Sequence, residues 1–240
     1  MIEKYKIAEE QAIDYIFKNY PKTIAIIVSG SIVREEYDKN SDLDIYVIHT
    51  DPYRQRITKI FNDVPCDLFI NTLKHTYKYF KLEHKKNRPV TADIISTGRV
   101  VYGEKHQEIV NLISNAQKEA LSPLSLTKEE RKIKEAELLT IFEDITDVFD
   151  NDLIHANYLV HILISKIIDY AFIYTGNPLP RAKNRLKVLE AHHQMLGSLI
   201  ITFFKTEEVP RKIGLCKTMI ETLVDGYNQN GIEWASEREY

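Results

Sequence analysis

The stretch Ile24 to Ile48, IAIIVSGSIVREEYDKNSDLDIYVI, constrains this chain more than any other. An apolar run from Ile24 to Val28 reads as a buried strand and breaks at Ser29-Gly30-Ser31, where the backbone must turn. A second apolar run, Leu43 to Ile48, follows a polar linker ending in Asn40-Ser41. Asp42 and Asp44 stand two residues apart at the head of that run, and the period of two along a strand puts both carboxylates on one face. Like charges so placed repel. A hard divalent cation such as Mg²⁺, which prefers carboxylate and phosphate oxygen, is the simplest offset.

Gly30 supplies what the carboxylates lack, since a residue without Cβ lets the backbone approach a ligand closely. Ser31 opens a predicted short helix, Ser31 to Tyr37, whose N-terminal N–H groups favour phosphate. Further on, Val64-Pro65-Cys66-Asp67-Leu68-Phe69-Ile70 reads as another strand and brings a third carboxylate, Asp67. Three carboxylates can hold two metal ions for in-line attack on a nucleotide phosphorus. A lone Asp-x-Asp is common at strand edges. The chemical reading rests on its conjunction with Gly-Ser, two flanking strands and the third acid.

The pattern Gly30-Ser31, ten intervening residues, then Asp42-Leu43-Asp44 resembles the signature of the DNA polymerase β-like nucleotidyltransferase superfamily, with Asp67 similar in place to its third carboxylate. The element order resembles the small-molecule branch, such as the kanamycin and lincosamide nucleotidyltransferases, and the minimal nucleotidyltransferases paired with helical proteins. This chain departs from the pattern at Glu35, where glycine often follows the arginine matched by Arg34, and at Ser29, where an aromatic residue is common.

The resemblance implies a metal-dependent transfer of a nucleoside monophosphate, AMP from ATP, to a hydroxyl of a small polar acceptor, of the antibiotic-modifying type. Asp42 and Asp44 would bind two Mg²⁺ ions, Asp67 would complete the catalytic one, and Gly30, Ser31 and Arg34 would hold the nucleotide phosphates. Lys183, after the proline-containing turn Thr175 to Pro180, is similar to a lysine that reaches nucleotide phosphate in several members, with Arg181 beside it. Candidates for the base that deprotonates the acceptor are Glu143, Asp144 and Asp147, on one predicted helix, and Asp93. AMPylation of a protein partner in a toxin–antitoxin-like system and a non-catalytic nucleotide-binding module are the alternatives.

Length and charge patterning set the frame for that site. At 240 residues and 28.0 kDa the chain can bury one large core or two modest ones. The expected class is α+β: a nucleotidyltransferase domain over residues 1–105, with a short mixed sheet flanked by helices, then an antiparallel helical bundle over 106–240. In the first part helices are expected over 2–20, 52–62 and 72–87, with 90–96 and 99–102 as the last strand or a strand-turn-strand. In the second, helices are expected over 104–120, 127–149, 152–175, 181–205 and 207–229, with Thr127-Lys128-Glu129-Glu130 as a capping box.

A net charge of −3 and the lack of a basic stripe with interleaved aromatics count against a nucleic-acid substrate. Cys66 and Cys216 match no metal-ligand spacing, and Cys66 reads as a small apolar filler. No signal peptide is visible and no window reads as apolar for a bilayer's thickness, so a cytoplasmic location is expected. A homodimer is left open.

Overall fold

The computed structural model describes residues 3–34 and 41–224. The chain divides into two compact units, Met1–Ser122 and Pro123–Tyr240. The first is α+β, in the order α1 (Glu3–Asn19), β1 (Thr23–Ser29), β2 (Leu43–His49), β3 (Gln55–Phe61), β4 (Val64–Asn71), α2 (Leu73–His84), α3 (Val90–Thr97), β5 (Arg99–Tyr102) and α4 (Gln107–Leu121). Among the described residues these strands form one mixed sheet in the order β3-β4-β2-β1-β5. β2 and β4 run parallel, while the β1–β2, β1–β5 and β3–β4 pairs are antiparallel.

Strand alternation divides the core. Ile26, Val28, Leu43, Ile45 and Val47 pack with Tyr5, Ala8, Ala12 and Ile16 of α1. Ala25, Ile27, Tyr46 and Ile48 point the other way and pack with Phe80 of α2, Ile95 of α3 and Ile109 and Leu112 of α4. β2 is buried along its whole length, as a central strand covered on both faces should be.

Two local expectations are corrected. Residues 52–62 were expected to be helical, but Gln55–Phe61 is an edge strand that pairs with β4, Phe61 opposite Val64. The connection is a two-residue hairpin, with Asn62 and Asp63 both at positive φ (45° and 57°), a backbone that Asn and Asp adopt more readily than other side chains. Ile57, Thr58, Ile60 and Phe61 are β-branched or aromatic and suit the strand that this pairing completes. Conversely, Val90–Thr97, expected to be extended, is a helix. Pro89 at its N-cap offers no side-chain acceptor, and Glu83, at the end of α2, takes over: its carboxylate accepts from Thr91 N (2.7 Å) and Thr91 Oγ1 (2.8 Å). A cap supplied from another helix leaves no local trace in the sequence.

The boundary between the units falls after α4 rather than at 105/106, because Ile109, Leu112 and Ala116 are buried against Ile27 and Ile48 of the sheet unit. The second unit comprises α5 (Lys128–Phe149), α6 (Leu153–Tyr174), α7 (Arg185–His192), α8 (Gln194–Lys205) and α9 (Val209–Leu223). Thr127 and Glu130 form the expected reciprocal capping box, and Asp152 caps α6 by accepting from His155 N (2.9 Å). The single helix expected over 181–205 is instead a 3₁₀ turn, Ala182–Asn184, followed by α7 and α8. The break comes at His193, whose Nδ1 accepts from Leu196 N (3.3 Å), and α8 then approaches α7 so closely that a Cβ on Gly197 would lie 2.4 Å from Glu190 Cα. For the expected helix over 207–229, residues 209–223 are helical and those from 225 on lie outside the described residues.

One more expectation changes. α6 is long and apolar enough to cross a membrane by length and composition, and half of its apolar window is buried within the protein. Val160, Leu163, Ile164 and Ile167 form the centre of the helical unit's core, which accounts for that composition.

Candidate active site

The site is built on a row of residues crossing four strands. Ser29 of β1 pairs with Asp44 of β2, Asp44 with Asp67 of β4, and Asp67 with Thr58 of β3. Because paired residues project from the same face, the parallel register of β2 and β4 alone sets Asp44 beside Asp67. Asp42 precedes β2 by one residue and adds the third acid. One carboxylate oxygen from each of Asp42, Asp44 and Asp67 lies within 4.8 Å of the others. Asp44 is buried, Asp67 partly so and Asp42 exposed.

Gly30 closes this end of the sheet. It has φ +106°, and a Cβ there would come within 3.1 Å of Asp42 O and 3.4 Å of Asp44 N. Only glycine combines that backbone with so close an approach to the acid-bearing strand. Ser31 follows, buried, and its Oγ–H donates to Ser41 Oγ (2.9 Å), tying the start of the loop to the residue before Asp42. Residues 31–34 form a turn in which Arg34 N donates to Gly30 O (3.4 Å); the rest of the helix expected over 31–37 lies outside the described residues. The guanidinium of Arg34 reaches Thr97 Oγ1 (3.5 Å), a hydroxyl that also contacts Ser29 Oγ (3.3 Å). Thr97, at the end of α3, thus joins the loop residues Ser29 and Arg34.

Asp67 is held from the edge strand. Thr58 Oγ1 donates to Asp67 Oδ1 and the Arg56 guanidinium to Oδ2. Burial raises the pKa of Asp67, but the Thr58 hydroxyl and Arg56 together outweigh it and hold the carboxyl below its usual value. Asp67 therefore carries its charge in the neutral range. On the other face of β4, burial first and then the charges of Asp42 and Asp67 push the Cys66 thiol up to about 12, so it stays protonated, in keeping with an apolar filler.

Arg56, Thr58, Ser41 and Thr97 were not singled out in the sequence. A signal for the first two existed: taking Asn62-Asp63 as a two-residue hairpin sets Phe61 opposite Val64 and so Thr58 opposite Asp67. The other candidates are carried by other elements. Asp93 is half-buried on α3, not on a strand, and its backbone carbonyl accepts from Thr97 Oγ1 (2.7 Å). Lys183, on the 3₁₀ turn, and Glu143, Asp144 and Asp147, on α5, are exposed residues of the helical unit. Arg181 precedes that turn in the same unit.

Three carboxylates with converging oxygens, joined among the described residues by no nitrogen or sulfur donor, and a glycine-opened loop beside them suit a hard divalent cation and phosphate. The sequence profile of the family described as Polymerase beta, Nucleotidyltransferase matches residues 11–107, a span containing this loop and all three acids. That span belongs to the polymerase β-like nucleotidyltransferase superfamily. Its fold resembles that of a nucleotidyltransferase-like protein from Exiguobacterium sibiricum, with a TM-score of 0.54 at 17% identity over 90% of this chain and 74% of the other. No curated protein sequence matches the chain significantly. The nucleotidyltransferase domain and its acid triad support metal-dependent nucleotidyl transfer.

Proposed function

We propose that the protein transfers AMP from ATP to a hydroxyl of a small polar acceptor, the reaction type of the antibiotic-modifying nucleotidyltransferases, and acts in the cytoplasm. The observation that carries this reading is the convergence of Asp42, Asp44 and Asp67 to within 4.8 Å beside the Gly30 loop. Asp42 and Asp44 would hold two Mg²⁺ ions and Asp67 one of them. When bound, such ions would supply charge neutralisation at the phosphate oxygens and polarisation of the acceptor oxygen. The loop at Gly30 and Ser31, with Arg34, receives the β- and γ-phosphates, and Lys183 is proposed as a further phosphate contact.

In the transfer, the acceptor oxygen forms a bond to the α-phosphorus while the bond from that phosphorus to the bridging oxygen breaks. Pyrophosphate leaves with the electron pair of the broken bond, and the hydroxyl proton passes to water. The protein's task is positioning and charge neutralisation, since phosphoryl transfer asks little covalent chemistry of side chains.

The test is pyrophosphate release from ATP with Mg²⁺ in the presence of hydroxylated acceptors of each charge type, for the wild type and for Asp42→Asn and Asp44→Asn. Release that needs both an acceptor and the two acids is expected. Full activity in either variant removes the assignment. Lys183→Ala is expected to raise KM for ATP with little change in kcat, and an unchanged KM removes Lys183 from the site.

A further inference from the structure

A cavity of about 390 Å³ opens on the acid-bearing face of the sheet, within the size range of small-molecule sites. Its floor is the row next to the acids: Tyr46 pairs with Phe69, and Phe69 with Arg56, each two residues along its strand from Asp44, Asp67 and Thr58. Arg54 and Tyr79 stand at its side, and Glu83 and Thr91 close it from α2 and α3. β1 runs antiparallel to β2, so Gly30, just beyond its C-terminal end, lies at the Asp44 end of the row, and the cavity extends from the acids in the opposite direction. In-line displacement puts the entering oxygen opposite the leaving pyrophosphate. If the Gly30 loop receives the pyrophosphate, this cavity is where the acceptor must stand.

Its chemistry is specific. Glu83 is committed to the cap of α3, with one oxygen on Thr91 N and the other on Thr91 Oγ1. Arg54 lies over the ring of Tyr79 (5.4 Å) and Arg56 over that of Phe69 (5.0 Å). Among the described residues Arg54 has no carboxylate partner, and Arg56 has Asp67. Among the described residues the wall thus offers Arg54, a guanidinium on an aromatic ring with no carboxylate partner, a second guanidinium, Arg56, shared with Asp67, and no uncommitted carboxylate, a surface suited to a planar anion.

We propose that this cavity is the acceptor pocket, resting on the transferase reading above, and that it takes an aromatic or otherwise planar hydroxyl compound bearing a carboxylate or similar anionic group. A polycationic aminoglycoside is disfavoured there by Arg54.

The test uses three phenols of one size and different charge: para-hydroxybenzoate, para-hydroxybenzamide and tyramine. Their binding to the full chain, with Mg²⁺ and a non-hydrolysable ATP analogue, is measured by calorimetry and saturation-transfer NMR. The benzoate is expected to bind about tenfold or more tightly than either of the others, the scale of one charge-assisted hydrogen bond. Arg54→Ala should erase that preference at unchanged melting temperature, and Arg54→Lys should restore part of it. Equal binding of the three, tighter binding of tyramine, no binding at all, or a preference untouched by Arg54→Ala overturns the proposal. So does an Arg54→Ala effect confined to the KM of ATP, which puts the nucleotide in the cavity. Pyrophosphate release separates the two readings. Arg54-dependent binding of the anion without turnover of any acceptor upholds the cavity's selectivity and removes the transferase; turnover of tyramine or kanamycin unaffected by Arg54→Ala keeps the transferase and removes the pocket.

Discussion

The two faces of β2 meet opposite environments. Leu43, Ile45 and Val47 are fully buried in an apolar layer under α1, whereas Asp44 and Tyr46 look into the acid row and the cavity floor. Both sets are buried, so burial alone does not separate a residue that holds the fold from one that carries chemistry. What separates them is partnership. Ile45 sits in an apolar cluster, while Asp44, 8% exposed, has the carboxylates of Asp42 and Asp67 beside it, a concentration of like charge that a bound cation offsets. The fold tolerates this repulsion because the apolar face of the same strand anchors it, a division expected where stability is given up for function.

That contrast can be broken most sharply by neighbouring substitutions. Asp44→Asn should lower nucleotidyl transfer by at least about 100-fold, the scale of losing one preorganised electrostatic contact to the transition state, with melting temperature equal or higher. Millimolar Mg²⁺ should raise the melting temperature of the wild type and leave that of Asp44→Asn unmoved, a readout independent of turnover. A lower melting temperature for the variant without metal would make Asp44 a structural residue and dissolve the contrast. Ile45→Ala, one position along, should cost about 2–5 kcal/mol in denaturant unfolding, the range for truncating a fully buried aliphatic side chain, while the folded fraction keeps its KM for ATP.

Gly30→Ala sharpens the comparison at the edge of the row. The strain of a Cβ at φ +106°, with Asp42 O 3.1 Å away, should cost about 1–2 kcal/mol and raise the KM for ATP. An unchanged KM would separate the loop from the nucleotide. The smallest effect is expected at Asp67. Its folded pKa lies below the ordinary 3.8, so the stability it contributes is present above that value and is lost as pH falls toward the folded value. Arg56→Ala removes a lowering partner and leaves the burial, so acid unfolding, followed by circular dichroism, should begin at a higher pH than in the wild type. An identical acid limb would mean that Arg56 does not hold Asp67.

Much of this site was legible in the sequence because it depends on short-range geometry. The turn at Gly30 and the common face of Asp42 and Asp44 need only strand periodicity, and Leu43 to Ile48 could be little other than a buried strand. α1 and the capping box at Thr127 followed in the same way from local pattern. Local pattern and structure part where a segment's state is chosen by a distant partner. Gln55–Phe61 is a strand because β4 offers its free edge, and Val90–Thr97 is a helix because Glu83 supplies its missing cap. α4, helical as expected, belongs to the sheet unit because its apolar face completes the layer over Ile27 and Ile48.

By itself, then, the sequence determined that two acids share a strand face behind a glycine turn, since side-chain direction along a strand is a property of the backbone. Only the tertiary structure decided that Asp67 stands beside Asp44, through the parallel register of β2 and β4, and that Arg56 and Thr58 hold it. Tertiary structure also decided that two arginines on aromatic rings wall the space next to the acids, because residues 46, 54, 56, 69 and 79 meet only when the edge hairpin and α2 close over the sheet. Register and layer packing are set by the sum of many weak contacts across the chain, and no single segment encodes them.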